Sequence, residues 1–157
     1  MVSQPSKIFI FDLDGTIADT THREHFLADT PKDWDGFHEA CVDDTPKEAV
    51  VATLLALYSA GFDIRIFTGR SEITRLITAD WLWKAIGIHW APLYSSKIRM
   101  RREHDFTPDF VLKLRWYREL LASEDVQVLG VFEDRARVAK AWRDAGVTCF
   151  QVAEGNF

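Results

Sequence analysis

Three strand-like runs in this chain end abruptly in polar residues, and that arrangement constrains the fold more than any other feature. Residues 8–11 lead into Asp12-Leu13-Asp14-Gly15-Thr16, residues 64–67 into Thr68-Gly69-Arg70, and residues 126–132 into Glu133-Asp134-Arg135. Short β-prone runs of this kind read as strands buried on both faces, the habit of parallel sheets. Helical spacing fills the gaps between them. Val50, Leu54 and Leu57 predict a helix over residues 46–60, with Thr45 as its cap, Pro46 in its first turn and Gly61 as its stop. Ser71 is expected to cap a helix running to about Ile86, where Gly87 ends it. Thr107 and Pro108 open another, with Phe110, Leu114, Tyr117 and Leu121 as its expected apolar stripe. A weaker strand at 91–94, a helix over 136–145 and a last strand at 148–152 complete the set.

Strands alternating with helices predict an α/β fold built on a doubly wound, mostly parallel, Rossmann-like sheet. The 157 residues suit a single domain spanning 1–157. Residues 19–45 break the alternation and are expected to form a small cap or lid.

In such sheets ligands bind outside the carboxyl ends of the strands, so the three polar clusters are expected to meet in one crevice. Asp12, Asp14 and Asp134 crowded together would repel one another and raise each other's pKa. A hard divalent cation resolves that conflict, and magnesium takes oxygen ligands. A metal, a carboxylate nucleophile and a phosphate site are the equipment of phosphoryl transfer.

Four motifs carry a family resemblance. Asp12-Leu13-Asp14-Gly15-Thr16, Thr68 after its strand, Lys113 on a helix before the last clear strand, and Glu133-Asp134 resemble the four motifs of the haloacid dehalogenase superfamily, in order. The resemblance implies that Asp12 attacks phosphorus to give an aspartyl-phosphate. It implies that Asp14 serves as general acid and then base, Thr68 binds a phosphoryl oxygen, and Lys113 places a cation beside Asp12. It also implies Mg2+ between Asp12, the Asp14 carbonyl and Asp134, with Glu133 a direct or water-mediated partner. Lys113 falls one position off the expected stripe, near a helix N-terminus where the dipole prefers acids, which itself points to a specific partner.

Thr68-Gly69-Arg70, Met100-Arg101, Asp105, Pro108-Asp109, Glu133-Asp134-Arg135 and the stretch from Trp142-Arg143 to Phe157 are similar to the 3′-phosphatase domain of bacteriophage-type polynucleotide kinase. No GxxxxGK[ST] loop is present, so the resemblance carries phosphatase and not kinase chemistry. It implies hydrolysis of a 3′-phosphate at a polynucleotide end, with Gly69, Arg70 and Arg101 as substrate-binding residues. Two other readings stay open: a 5′-nucleotidase whose cap closes over a mononucleotide, and a non-catalytic module that binds nucleic-acid ends. Arg70 can bind phosphate or cap the following helix. Lys97, Arg99, Arg101 and Arg102 form a basic run that reads as a solvated loop or a nucleic-acid contact. Trp34 and Phe37 read as the core of a cap or as a stacking surface for a base. His22 and His25 are too few to hold zinc.

Composition limits the partners. With 47% hydrophobic and 27% charged residues the chain is expected to be globular, and its net charge of −5 excludes bulk electrostatic duplex binding. The charge is uneven. Residues 29–48 hold seven acids and two bases, while 97–118 hold seven bases and three acids. That polarity suits capture of one phosphorylated end or nucleotide. Two isolated cysteines, no leader-like apolar core and no long apolar stretch point to a cytoplasmic protein without a membrane partner.

Overall fold

The computed structural model of the chain describes residues 4–87 and 97–155. Five strands, β1 (Ser6–Phe11), β4 (Asp63–Ser71), β5 (Ile98–Arg101), β6 (Val126–Arg135) and β7 (Cys149–Gly155), form one parallel sheet in the order β5-β4-β1-β6-β7. β1 lies at the centre and alternates its side chains between two cores. Phe11 joins Leu54, Ile64, Ile66, Leu82 and Met100 on one face, while Ile8 and Ile10 join Leu112, Trp116, Val131 and Trp142 on the other.

Helices α2 (Glu48–Ser59) and α3 (Arg75–Ile86) cover the first face, and α4 (Asp109–Ser123) and α5 (Ala136–Asp144) the second. The doubly wound prediction therefore holds. An aromatic ladder ties the central strands, with Phe11 and Phe132 stacked at 4.3 Å and Phe132 and Phe150 at 4.9 Å. No helix among the described residues is long and apolar enough to cross a membrane.

Several local expectations shift. Thr45 and Pro46 are not a helix cap; they form a two-residue strand, β3 (Thr45–Pro46), antiparallel to β2 (Ala18–Asp19), and α2 starts at Glu48. The pairing takes up backbone groups that a cap would have used. Ser71 caps a 3₁₀ turn, Glu72–Thr74, ahead of α3, and Gly87 ends that helix at φ 69° as expected. The expected strand at 91–94 lies outside the described residues. The basic run is not a loop: it supplies β5, with Ile98 and Met100 buried.

On α4 the buried positions are Leu112, Lys113, Trp116 and Leu120, while Leu121 is exposed. The buried stripe is turned from the expected one, whose Phe110, Leu114 and Tyr117 pack partly buried at its margin, and from it Lys113 reaches Asp12. Between β2 and β3 the chain folds as a 3₁₀ segment Thr21–Leu27, a short helix α1 (Trp34–Glu39) and a 3₁₀ turn Ala40–Asp43, over the carboxyl edge.

Candidate active site

The backbone amide of Asp12 donates to the Phe132 carbonyl at 2.9 Å, which carries the β1–β6 ladder past the strand end and sets Asp12 beside Glu133 and Asp134. Loops leaving β1 and β6 turn to opposite faces of the sheet, so this is a topological switch point. Lys113, one turn into α4, donates from Nζ to Asp12 Oδ1 at 2.6 Å and to Glu133 Oε2 at 2.8 Å. All four side chains are buried.

Oxygens of Asp12, Glu133 and Asp134 can all lie within 4.8 Å of one another. Three buried carboxylates against one ammonium leave excess negative charge, and the electrostatics record it. Burial and the Glu133 charge push Asp12 up to about 7 against the pull of Lys113. Burial, with the Asp12 charge, pushes Asp134 to about 6. Burial opposes the Lys113 charge, yet Asp12 and Glu133 outweigh it and hold the ammonium ionised.

The donor set suits a hard divalent cation. The Thr16 hydroxyl lies 3.1 Å from Asp12 Oδ2 and 3.4 Å from Asp134 Oδ1, so these two oxygens face a common point. Gly15, at φ 84°, lets the backbone pass close to Asp134; a Cβ there would lie 2.2 Å from Asp134 Oδ2. Glu133 and Asp14 also have protein partners of their own. Glu133 places Oε2 on Lys113 and Oε1 near the amides of Asp134 and Arg135, so it anchors the lysine within the same carboxylate group. The Asp14 carboxylate, as distinct from the main-chain carbonyl expected to face the metal, turns away from the cluster, drawn off by two arginines.

Those arginines build a second, charge-neutral cluster against the first. Asp14 Oδ1 accepts from Arg23 Nη2 at 2.8 Å, Arg70 Nε at 2.8 Å and Arg70 Nη2 at 2.6 Å. Asp44 accepts from Arg23 Nε at 2.7 Å and Arg70 Nη2 at 2.6 Å. Burial works to raise the Asp14 pKa, but Arg70 and Arg23 outweigh it and hold this carboxyl below the usual range. Arg23 also donates to the Phe37 carbonyl at 3.1 Å and lies 4.1 Å over the Phe37 ring.

Arg70, expected to meet substrate, is fully enclosed by Asp14, Asp44 and Thr78; enclosure this tight makes it a support for Asp14. Arg101 also turns inward. It donates to the carbonyls of Gly69, Asp105 and Thr107 and pairs with Asp109, which pairs with Arg135 as well. Gly69 lets Asp109 approach the end of β4, since a Cβ there would meet Asp109 Oδ1 at 3.0 Å. Thr68 is buried on β4, the strand beside β1, with its hydroxyl accepting from the Arg70 amide at 3.2 Å.

Sequence reasoning passed over Arg23, which holds Asp14; Asp44, which pairs with both arginines; and Lys47, whose Nζ donates to the Gly15 carbonyl at 2.6 Å. One signal was available: a lone arginine in a segment dense in acids.

Known proteins share this chain's sequence pattern and fold. A family model described as the polynucleotide kinase PNKP phosphatase domain matches residues 6–157. A protein of Autographa californica nuclear polyhedrosis virus, whose name couples polynucleotide kinase with RNA ligase, is 29% identical over 143 residues, which cover 90% of this chain and 18% of that protein. Among solved structures, a chain of the Pnkp1/Rnl/Hen1 RNA repair complex superimposes with a TM-score of 0.77 at 23% identity, covering 99% of this chain and 46% of that one. The class C acid phosphatase of Bacillus anthracis shares the fold, with a TM-score of 0.70 at 15% identity over 99% of this chain and 70% of that one. The chain thus spans less than half the length of the polynucleotide-repair relatives it matches. With the family match running over nearly its whole length, the chain belongs to the polynucleotide kinase PNKP phosphatase-domain family and is a phosphatase on a haloacid dehalogenase fold.

Proposed function

We propose that the chain removes a 3′-phosphate from polynucleotide ends through an aspartyl-phosphate on Asp12, with residues 1–157 acting as one catalytic unit and 19–45 as its cap. The observation that carries this reading is the buried Asp12–Lys113 pair inside a carboxylate cluster with excess negative charge. Asp12 and Asp134 would hold Mg2+, which supplies charge neutralisation where phosphoryl oxygens gather.

The remaining chemistry falls to the chain's own side chains. An Asp12 oxygen bonds to phosphorus as the phosphorus–O3′ bond breaks; for Asp14 to protonate the departing O3′, its carboxylate must first turn from Arg23 and Arg70, which hold it ionised, and take up a proton from solvent. Water then attacks the acyl phosphate, its proton passes to Asp14, and inorganic phosphate leaves with Asp12 restored. Lys113 keeps Asp12 in place and faces the phosphoryl charge, and Thr68 supplies a hydroxyl at the neighbouring strand end. Arg23 and Arg70 fix the Asp14 carboxylate. They take no part in substrate binding in this reading.

The family and the repair-complex relative make nucleic-acid ends the first substrates to try. The test supplies the protein with Mg2+ and compares 3′-phosphorylated RNA and DNA oligonucleotides with a panel of nucleoside 5′-monophosphates. Release from the oligonucleotides, lost on chelation of the metal, is expected. Release from the monophosphates alone would replace the reading with a 5′-nucleotidase. No release, with end binding intact, would leave only a binding module.

A further inference from the structure

We infer that the cap carries a nucleobase subsite, with the Trp34 ring as the platform on which the terminal base of the substrate stacks. The inference rests on the phosphatase reading above, since it places the base beside the phosphoryl site. Trp34 begins α1, a helix none of whose residues is buried, and its own surface is 50% exposed. A tryptophan serving only as cap core would lie underneath, as Phe37 does. Phe37 sits against the Arg23 guanidinium and thus serves the Asp14 cluster.

Trp34 instead lies at the end of an aromatic row. Its ring stacks toward His38 at 6.1 Å with planes 28° apart, and meets Phe37 edge-on at 6.1 Å. Phe37 lies against the Arg23 guanidinium that binds Asp14, so the row runs from the Asp14 cluster outward. These contacts hold the indole at the surface with half of it exposed.

Charge fits the same occupant. The Lys32 ammonium lies over the Trp34 ring, 5.6 Å from its centroid, so the ring already holds a cation on its face, and a base that stacks there would displace the flexible lysine towards the nucleotide's own phosphates. A flat π-face beside a lysine is the combination that holds single-stranded nucleotides without reading sequence. A partner protein's apolar side chain would gain nothing from that ammonium.

The test measures steady-state kinetics of Trp34→Ala and Trp34→Phe on two 3′-phosphorylated oligonucleotides, one with an ordinary terminal nucleotide and one whose terminal sugar lacks a base. Stacking of this kind predicts that Trp34→Ala raises KM for the ordinary substrate by about 5- to 100-fold. It predicts an unchanged kcat, an unchanged KM for the abasic substrate, and near wild-type behaviour of Trp34→Phe. An equal rise on both substrates, or none on either, would overturn it. A second readout is independent of turnover: the Kd of a nucleoside 3′-monophosphate for Asp12→Asn protein with and without Trp34→Ala. If wild-type protein cleaves no oligonucleotide, the catalytic reading fails. The Kd comparison then still decides the stacking, with an unchanged Kd counting against it.

Discussion

Lys113 holds Asp12 at 2.6 Å and Glu133 at 2.8 Å with almost no access to water, so its charge is the counterweight to two buried carboxylates. Replacing it by Met keeps the volume and removes the charge. Breaking a buried pair from one side typically costs about 3–5 kcal/mol, because the abandoned partner stays desolvated. Lys113→Met is expected to lower the urea-unfolding free energy of the metal-free protein by about that amount and to cut kcat with it. A loss under about 1 kcal/mol would show that the carboxylates do not depend on the lysine. The lysine's role was legible from sequence through its motif and its odd place near a helix start. Its burial was not, because the expected stripe of α4 ran through Phe110, Leu114, Tyr117 and Leu121, while burial follows Leu112, Trp116 and Leu120.

At the scale of the element, the segment from β2 to β3 is joined to the sheet through Arg23. Its guanidinium reaches Asp14, Asp44 and the Phe37 carbonyl at once, and the Trp81 indole of α3 donates to the Asp44 carbonyl at 2.8 Å. A lysine cannot reproduce that planar fork. Arg23→Lys is expected to speed amide exchange through residues 21–43 while β1, β4 and β6 keep their protection, with kcat falling on the order of 10–100-fold as Asp14 loses its brace. Acceleration spread evenly over the sheet would contradict a local role for this arginine.

The strands were readable because they are buried on both faces and end in charge. The segment between β2 and β3 was readable only as a gap in the pattern. Its order comes from ion pairs between residues far apart in sequence, such as Arg70 with Asp44, and no local periodicity announces those. The same blindness hid the burial of Arg70 against Asp14 and Asp44, and hid β5 inside a basic run.

Over the whole molecule, charge is sorted into two compartments. Around Asp14 two arginines and two aspartates balance; around Asp12 three carboxylates outnumber one lysine. The imbalance sits at the switch point of the sheet, under the cap, where a divalent cation and a phosphoryl group can both be met. The acidic net charge of the chain is thus no obstacle to an anionic substrate, because the excess is spent where a metal can answer it.

The central claim is that Asp12 carries the phosphoryl group. The most direct measurement mixes the protein with an oligonucleotide radiolabelled in its 3′-phosphate, quenches in acid within a single turnover and maps the label by peptide mass spectrometry. Label is expected on the peptide bearing Asp12, and none on Asp12→Asn protein. Phosphate release at the wild-type rate with no protein-bound label, or label on any other residue, would contradict the account.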